Sequence, residues 1–238
     1  MLTRETKIVV LTGAGISAES GIPTFRGEGG LWKQYRPEEL ATPEAFARNP
    51  ALVWEWYDWR RQIIARSQPN PAHRILAEME EFFPHFTLIT QNVDGLHQAA
   101  GSKKVLELHG NIWRVRCVRE GTVSENREVP LKEIPPRCRC GALLRPDVVW
   151  FGEPLPGDVL EKAFAAAEEC DIMLVIGTSA VVQPAASIPL VALRRGASVV
   201  EINPQETPLS RYATEVLRGK AGEVLPALWE RWKSIIGS

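Results

Sequence analysis

Lys7-Ile8-Val9-Val10-Leu11-Thr12-Gly13-Ala14-Gly15-Ile16-Ser17-Ala18-Glu19-Ser20-Gly21-Ile22-Pro23-Thr24-Phe25-Arg26 is the stretch that decides the fold. Its opening half, through Thr12, is apolar and β-branched, which suits a buried parallel strand. A strand feeding Gly13-x-Gly15-x-x-Ala18 turns tightly and lets the backbone approach a pyrophosphate. The helix expected next would turn free N–H groups and its positive dipole end toward those phosphates. A dinucleotide-binding dehydrogenase would then finish that helix, form a second strand and place an acid near its end. Here Gly21-Ile22-Pro23-Thr24-Phe25-Arg26-Gly27 breaks any long helix instead. A loop carrying Phe25 and Arg26 is thus predicted beside the phosphates, over the reactive half of the ligand.

The remaining composition is that of an ordinary globular protein. The chain has 238 residues, 28 Lys and Arg against 29 Asp and Glu, and a formal net charge of −1. That length suits one large α/β domain or a main domain with a smaller insertion. The charge balance argues against a nucleic-acid partner, and no run approaches the ~20 apolar residues of a membrane span. The first strand begins within a few residues of Met1, so no signal peptide is expected and the location is read as cytoplasmic. Cys117, Cys138 and Cys140 cluster, which points to a metal rather than to disulfides, whereas Cys170 reads as a small buried residue.

Alternation of strand and helix continues along the chain. Asn or Thr before Pro at 42–43, 49–50 and 70–71 marks three capped helix starts. Residues 31–67 therefore read as a helical insertion, 71–83 as an amphipathic helix, and 86–90 and 105–108 as strands. Residues 114–146, rich in Arg and Pro and bearing the cysteines, read as a second insertion. Helix 157–170, strand 172–176, helix 184–195, strand 198–202 and helix 221–235 follow. The α/β domain then comprises 1–30, 68–113 and 147–238. Five polar clusters fall at predicted strand ends: Gly13–Ser17, Gln91–Asp94, His109-Gly110, Gly177–Ser179 and Asn203. An open parallel sheet binds ligands there, so the five are expected to form one composite site.

With these clusters the chain resembles the sirtuins, NAD-dependent protein deacylases. The resemblance is carried by Gly13-Ala14-Gly15-Ile16-Ser17, Gly21-Ile22-Pro23-Thr24-Phe25-Arg26, Thr90-Gln91-Asn92-Val93-Asp94-Gly95-Leu96-His97, His109-Gly110, Val148-Val149-Trp150-Phe151-Gly152-Glu153 and Gly177-Thr178-Ser179. It implies a Rossmann-type parallel sheet with a smaller module made from a helical and a zinc-ribbon-like insertion. It implies NAD as a consumed co-substrate, cut between nicotinamide and ribose while the acyl group of a modified lysine passes to ADP-ribose. Contacts to NAD would come from Gly13, Ala14, Gly15, Ser17, Ala18, Thr24, Phe25, Arg26, Trp32, Gln91, Asn92, Val93, Asp94, Gly177, Thr178, Ser179, Asn203, Pro204, Gln205 and Ala221. Asn92 and Asp94 would orient the ribose and tolerate the positive charge that develops at C1′. His109, a neutral imidazole near its working pH, would be the general base. Among the four histidines, His73 and His85 read as structural and His97 as a cap or packing residue, while Asp94 can also cap the helix after Gly95.

Tyr57 and Arg60, three apart on a predicted helix, share a face, and an Arg beside a phenol makes a directional carboxylate receptor. The pair resembles the Tyr-x-x-Arg of class III sirtuins, which remove succinyl, malonyl or glutaryl groups, and Ala41 matches the small residue that widens their acyl pocket. The alternative is an amphipathic helix with Tyr57 at the edge of its apolar face and Arg60 and Arg61 in solvent. Val149, Trp150, Phe151, Gly152 and Glu153 are expected in an extended edge that the peptide joins as a strand. Sirtuins usually hold zinc with two Cys-x-x-Cys pairs; here Glu120 stands where the second cysteine would be, and Cys138-Arg139-Cys140 is one residue short. Three outcomes stay open: ligation by Glu120, weak binding by three cysteines, or loss of zinc with packing around Ile112, Trp113, Val115 and Leu143. The partners expected are acylated proteins or peptides, acting on a monomer. Protein mono-ADP-ribosyl transfer and a noncatalytic NAD-binding module are the competing functions.

Overall fold

The protein is described by a computed structural model over residues 2–26 and 30–237; Gly27 and the side chain of Trp32 lie outside the described part. Among the described residues nine strands are formed: β1 (Ile8–Thr12), β2 (Phe86–Thr90), β3 (Val105–Glu107), β4 (Gly110–Cys117), β5 (Val123–Glu125), β6 (Leu144–Val148), β7 (Ile172–Ile176), β8 (Ser198–Ile202) and β9 (Glu215–Leu217). The α-helices are α1 (Pro37–Leu40), α2 (Pro43–Arg48), α3 (Pro50–Arg66), α4 (Pro71–Phe82), α5 (Leu96–Ala99), α6 (Gly157–Glu169), α7 (Ile188–Arg194) and α8 (Ala221–Ile236). Six strands make one parallel sheet in the order β3-β2-β1-β7-β8-β9. The chain grows outward from β1 to β3, then returns to the other side of β1 at β7. That reversal leaves a crevice at the carboxyl ends of β1 and β7, where ligands bind in sheets of this kind.

Both sheet faces are apolar because both are covered. Val10 of β1 packs with Leu76, Met79, Phe83, Trp229 and Trp232 of the α4–α8 side. Val9 and Leu11 face the opposite way and pack with Ala163, Ala167, Ile188 and Ala192 of α6 and α7. A third core joins the helical segment to the small antiparallel sheet β5-β4-β6 through Trp54, Tyr57, Ile112, Trp113, Val148 and Trp150. The three predicted caps form: Thr42, Asn49 and Asn70 side chains accept from Ala45, Leu52 and Ala72 N–H, each with Pro at the next position.

Three local expectations are corrected. The helix after Gly13 is a 3₁₀ helix over Ala14–Ser20. The N–H groups of Gly13 and Gly15 are not free, since they donate to Ile176 and Gly177 carbonyls at 3.0 and 2.8 Å. Residues 148–153 are not one extended edge: β6 ends at Val148, and the chain turns over Phe151–Glu153, closed by Glu153 N–H on the Trp150 carbonyl at 3.0 Å. The helix predicted over 184–195 begins as a 3₁₀ turn, Ala185–Ser187, before α7. Strand β9 was not anticipated, because three half-buried residues are too few to show a period.

Candidate active site

The crevice opens into a cavity of about 720 Å³ that runs from the end of β8 to the third core. Its floor is backbone. A Cβ on Gly13 would stand 2.7 Å from the Gly177 carbonyl oxygen, and one on Gly15 would stand 2.7 Å from Gly177 Cα. Gly177 itself has φ +62°, and its own Cβ would meet Ile16 N at 2.4 Å. Three glycines therefore let the loops after β1 and β7 close on each other without side chains. What remains is a side-chain-free ledge of the kind that admits a pyrophosphate, so the residues present fit a dinucleotide. Gly13, Ala14, Gly15, Ala18, Thr24, Phe25, Arg26, Gly177, Thr178, Ser179, Asn203, Pro204, Gln205 and Ala221 all line this cavity.

From β2 come Gln91, Asn92 and Val93, also cavity-lining. Gln91 Nε2 donates to Thr178 Oγ1 at 2.9 Å, tying the loop after β2 to the loop after β7. Asn92 Nδ2 donates to the Gly13 carbonyl at 3.0 Å, which fixes its amide against the glycine floor. Asp94 and Ser17 are brought to the site but not into the cavity. Both are buried, Ser17 Oγ donates to Asp94 Oδ2 at 2.8 Å, and Asp94 Oδ1 accepts from Leu96 N–H at 2.9 Å across Gly95, the N-cap of α5. Burial pushes the Asp94 carboxyl up from its ordinary value, opposed by these two donors and by the Arg60 charge.

His109 follows β3 and lines the cavity beside Val148 and Val149. Its Nδ1 lies 2.9 Å from the Gln91 carbonyl oxygen. A carbonyl can only accept, so Nδ1 carries the proton and Nε2 is left as a free base. Burial lowers the His109 pKa from its ordinary value, against the Gln91 hydrogen bond. His73 and His97 lie deeper, their rings 5.0 Å apart, and burial drives them down to about 4 and about 3. His73 completes the cap of α4 with its Nε2 3.3 Å from Ser17 Oγ, His97 meets Thr12 Oγ1 at 2.9 Å, and neither lines the cavity. Exposed His85 pairs with Glu5.

The far wall belongs to α3. Tyr57, Arg60 and Ala41 line the cavity with Trp56, Trp150, Phe151, Gly152 and Glu153. Arg60 is 8% exposed, and among the described residues its guanidinium makes no ion pair or hydrogen bond. It is enclosed by rings: Phe25 at 4.8 Å, Trp56 at 4.9 Å and Tyr57 at 5.6 Å from its central carbon. Burial lowers its pKa, with Tyr57 and Asp94 opposing. The amphipathic-helix alternative, with Arg60 in solvent, is thereby excluded. Tyr57 accepts from Trp150 Nε1 at 2.9 Å, and burial raises its pKa, so its hydroxyl keeps a proton to donate. Glu153 is engaged by Arg145 at 2.6 and 2.9 Å and accepts from Trp150 N–H at 2.9 Å. The Phe151 N–H donates to the Ala41 carbonyl at 3.0 Å, joining the turn to the acyl-side wall.

Further residues line the cavity beyond those the sequence singles out. Trp56 is four before Arg60 on one helix face and could have been read from that spacing; Glu206 and Thr207 simply extend the Asn203–Gln205 loop. Val182 and Gln183 carried no signal.

Cys117, Glu120, Cys138 and Cys140 place one ligand atom each within 4.8 Å of one another. Cys117 and Cys140 sulfurs are 3.5 Å apart, near the roughly 3.8 Å edge of a tetrahedron with Zn–S of ~2.3 Å. Glu120 N–H donates to Cys117 Sγ at 3.4 Å. The donors fit a tetrahedral zinc with Glu120 as fourth ligand. None of them lines the cavity, so a metal there would stabilise the small sheet and stand apart from the chemistry.

Backbone-floored crevice, amide cluster and neutral imidazole together define a Rossmann-type dinucleotide site joined to an enclosed second pocket. The chain belongs to the Sir2 family, whose profile matches residues 13–184. It is 60% identical over 232 residues to an NAD-dependent protein deacylase of Aquifex aeolicus, covering 97% of each chain. It is 64% identical over 213 residues to NAD-dependent protein deacylase 1 of Caldanaerobacter subterraneus, covering 89% of this chain and 88% of the relative. Among solved structures, an ADP-ribose complex of a Sir2 homologue mutant superposes with a TM-score of 0.94 at 52% identity, over 98% of this chain and 95% of that one.

Proposed function

We propose that this chain is an NAD-dependent protein-lysine deacylase that removes acetyl groups and, preferentially, acidic acyl groups such as succinyl and malonyl. The observation that carries the preference is Arg60, a cation enclosed by aromatic rings at the cavity wall, beside a phenol that can donate. A buried charge is stable only when paired, and an acyl carboxylate would supply the pair. The relatives' names and the ADP-ribose bound by the structural neighbour support the NAD-consuming reaction.

NAD, consumed as co-substrate, supplies the nicotinamide–ribose bond whose cleavage opens C1′ to the acyl oxygen. Asn92, anchored on Gly13, orients the ribose, and Asp94 holds Ser17 and the start of α5 behind it. His109 Nε2 takes the proton of a ribose hydroxyl as that oxygen closes on the acyl carbon. One water then adds to that acyl carbon as its bond to the lysine nitrogen breaks, so the products are nicotinamide, O-acyl-ADP-ribose and free lysine. Phe25 covers the reactive half, and Val149–Glu153 meets the peptide backbone. Gly13, Ala14, Gly15, Ala18, Gln91–Val93, Gly177–Ser179, Asn203–Gln205 and Ala221 hold the dinucleotide. Cys117, Cys138, Cys140 and Glu120 would hold a structural zinc.

Residues 1–30, 68–113 and 147–238 serve as the dinucleotide domain, with 31–67 and 114–146 as the smaller lobe. We further take the chain to be a cytoplasmic monomer with no nucleic-acid or membrane partner. No helix among the described residues is long and apolar enough to cross a membrane.

The test compares acetyl- and succinyl-lysine versions of one peptide. Wild type should turn over the succinyl peptide with kcat/KM about tenfold or more above acetyl, and Arg60→Met should erase that margin while leaving acetyl turnover in place. Equal rates on both peptides, or a succinyl rate untouched by Arg60→Met, would remove the acidic preference. Radiolabel from NAD fixed on a protein acceptor, without O-acyl-ADP-ribose, would mark ADP-ribosyl transfer instead. Nicotinamide release without any acyl peptide would argue against coupled deacylation.

A further inference from the structure

The loop after β8 contributes Asn203, Gln205 and Thr207 to the cavity, and its backbone touches a strand at its start, where Asn203 N–H donates to the Leu217 carbonyl of β9 at 3.3 Å. A buried carboxylate fastens it. Glu201, inside β8, is 1% exposed. Its oxygens accept from Thr207 Oγ1, from Ser210 Oγ at 2.5 Å and from Arg218 Nη1 at 3.3 Å. Arg218 reaches further: Nη1 donates to the Gln205 carbonyl at 2.9 Å, and Nη2 to Ser210 Oγ at 2.9 Å. Asn203 Nδ2 donates to the same Gln205 carbonyl at 2.9 Å. The Thr207 N–H meets Ser210 Oγ at 2.9 Å, closing the ring.

Burying an ion is unfavourable unless it is paired and fully hydrogen-bonded, and every contact of this ion goes to one loop or to the arginine that braces it. An apolar residue would fill β8 equally well, so the carboxylate's contribution is the loop's shape. Topology says which half of the ligand feels that shape. His109 follows β3 on one wing of the sheet, the glycine floor follows β1 and β7 in the middle, and Asn203 follows β8 on the other wing. A dinucleotide with its nicotinamide ribose at His109 and its phosphates on the glycines carries its adenosine to β8.

Resting on the NAD reading above, we propose that Glu201 and Arg218 are positioning residues that hold the Asn203–Thr207 loop in shape for the adenosine half of the dinucleotide. They act through the loop and touch no reacting atom. Two variants probe this: Glu201→Gln keeps an acceptor and the side-chain volume, and Arg218→Met alters a partly exposed side chain that the core does not need. In both, the ADP-ribose Kd by calorimetry and the KM for NAD should rise about five- to tenfold. In the same proteins kcat at saturating NAD and the KM for the acyl peptide should stay within about twofold, a split that general destabilisation would not produce. Unchanged ADP-ribose affinity in Arg218→Met would overturn the positioning role while leaving NAD use intact, as would kcat and peptide KM moving together with the NAD term. Absence of ADP-ribose binding by the wild type would overturn the NAD reading itself, and this inference with it.

Discussion

The two ends of the cavity are built from different materials. The dinucleotide end is backbone: Gly13, Gly15 and Gly177 interlock at strand ends, and Gln91 and Asn92 hang their amides from that frame. The acyl end is side chain: Tyr57, Arg60 and Trp56 project from one face of α3 against Trp150 and Phe25. Backbone packed on backbone has few alternatives, since an added Cβ forces loops apart. A wall of side chains can be re-cut one residue at a time without disturbing the sheet. Under the function proposed above, the dinucleotide floor would serve every substrate and the α3 wall would choose among them.

His109 stands where the two ends meet, and its loss should have the largest effect. Removing a general base costs about 10²–10⁴-fold in rate, so His109→Ala should lose turnover of acetyl and succinyl peptides alike while still binding NAD. The same residue sets the acid limb. Burial holds its pKa below the ordinary 6.5, and the base must be neutral, so kcat/KM should be flat near neutrality and fall only as pH drops through that lowered value. A limb centred above 6.5 would show that another group is the base.

Gly15→Ala comes next. The new methyl would stand 2.7 Å from Gly177 Cα, so either loop must move, at a cost of about 1–3 kcal/mol. NAD affinity should fall about tenfold or more for every acyl peptide, with the ratio of succinyl to acetyl turnover preserved. Gly157→Ala, at a position with open space around it and an ordinary backbone, is the control that should change neither. If Gly15→Ala shifted the acyl ratio, the two ends would not be separable.

The same contrast governs how much was legible in the sequence. Backbone sites announce themselves because few residues are allowed in them, and Gly13, Gly15, Gly177 and the polar residues at strand ends could be placed from order and spacing alone. Helix starts at Thr42, Asn49 and Asn70 were legible for a similar reason: a cap followed by Pro has one local use. The direction in which Asp94 points was not legible. Its carboxylate serves Ser17 and α5 from behind the cavity, an outcome settled by packing with Trp113, whose Nε1 donates to the Asp94 carbonyl at 2.9 Å. Nor was the turn over Phe151–Glu153 visible, because it is held by the distant Ala41 carbonyl and by Arg145 on Glu153. Glu201 was passed over for the same reason. A single acid in an apolar strand has no local pattern, and its partners lie between six and seventeen residues downstream.

Two neighbouring arginines give the finest cut. Arg60 and Arg61 are adjacent on α3, and both are buried. Arg61 is turned away from the cavity: it donates to the Asn126 carbonyl and, at 2.7 Å, to Asn126 Oδ1, and stacks 5.3 Å from the Trp113 ring. It thereby clamps α3 to the segment after β5, alongside Asp58, which accepts from Leu131 N–H at 2.9 Å. Arg60 lines the cavity with the Phe25, Trp56 and Tyr57 rings around its guanidinium and, among the described residues, no ion pair. Their charges are equal and their neighbourhoods are not, so their substitutions should separate. Arg61→Met removes the donor from the Asn126 carbonyl, while Asn126 Oδ1 keeps the Glu128 N–H at 3.0 Å, and should lower stability by about 1–3 kcal/mol, read as a drop in denaturation midpoint. At a temperature where the variant is folded, its succinyl-to-acetyl ratio should match wild type to within about twofold. A ratio that fell in Arg61→Met as far as in Arg60→Met would mean that the acyl wall responds to the positive charge of α3 as a whole, and that Arg60's place against Phe25, Trp56 and Tyr57 is not what selects the acid.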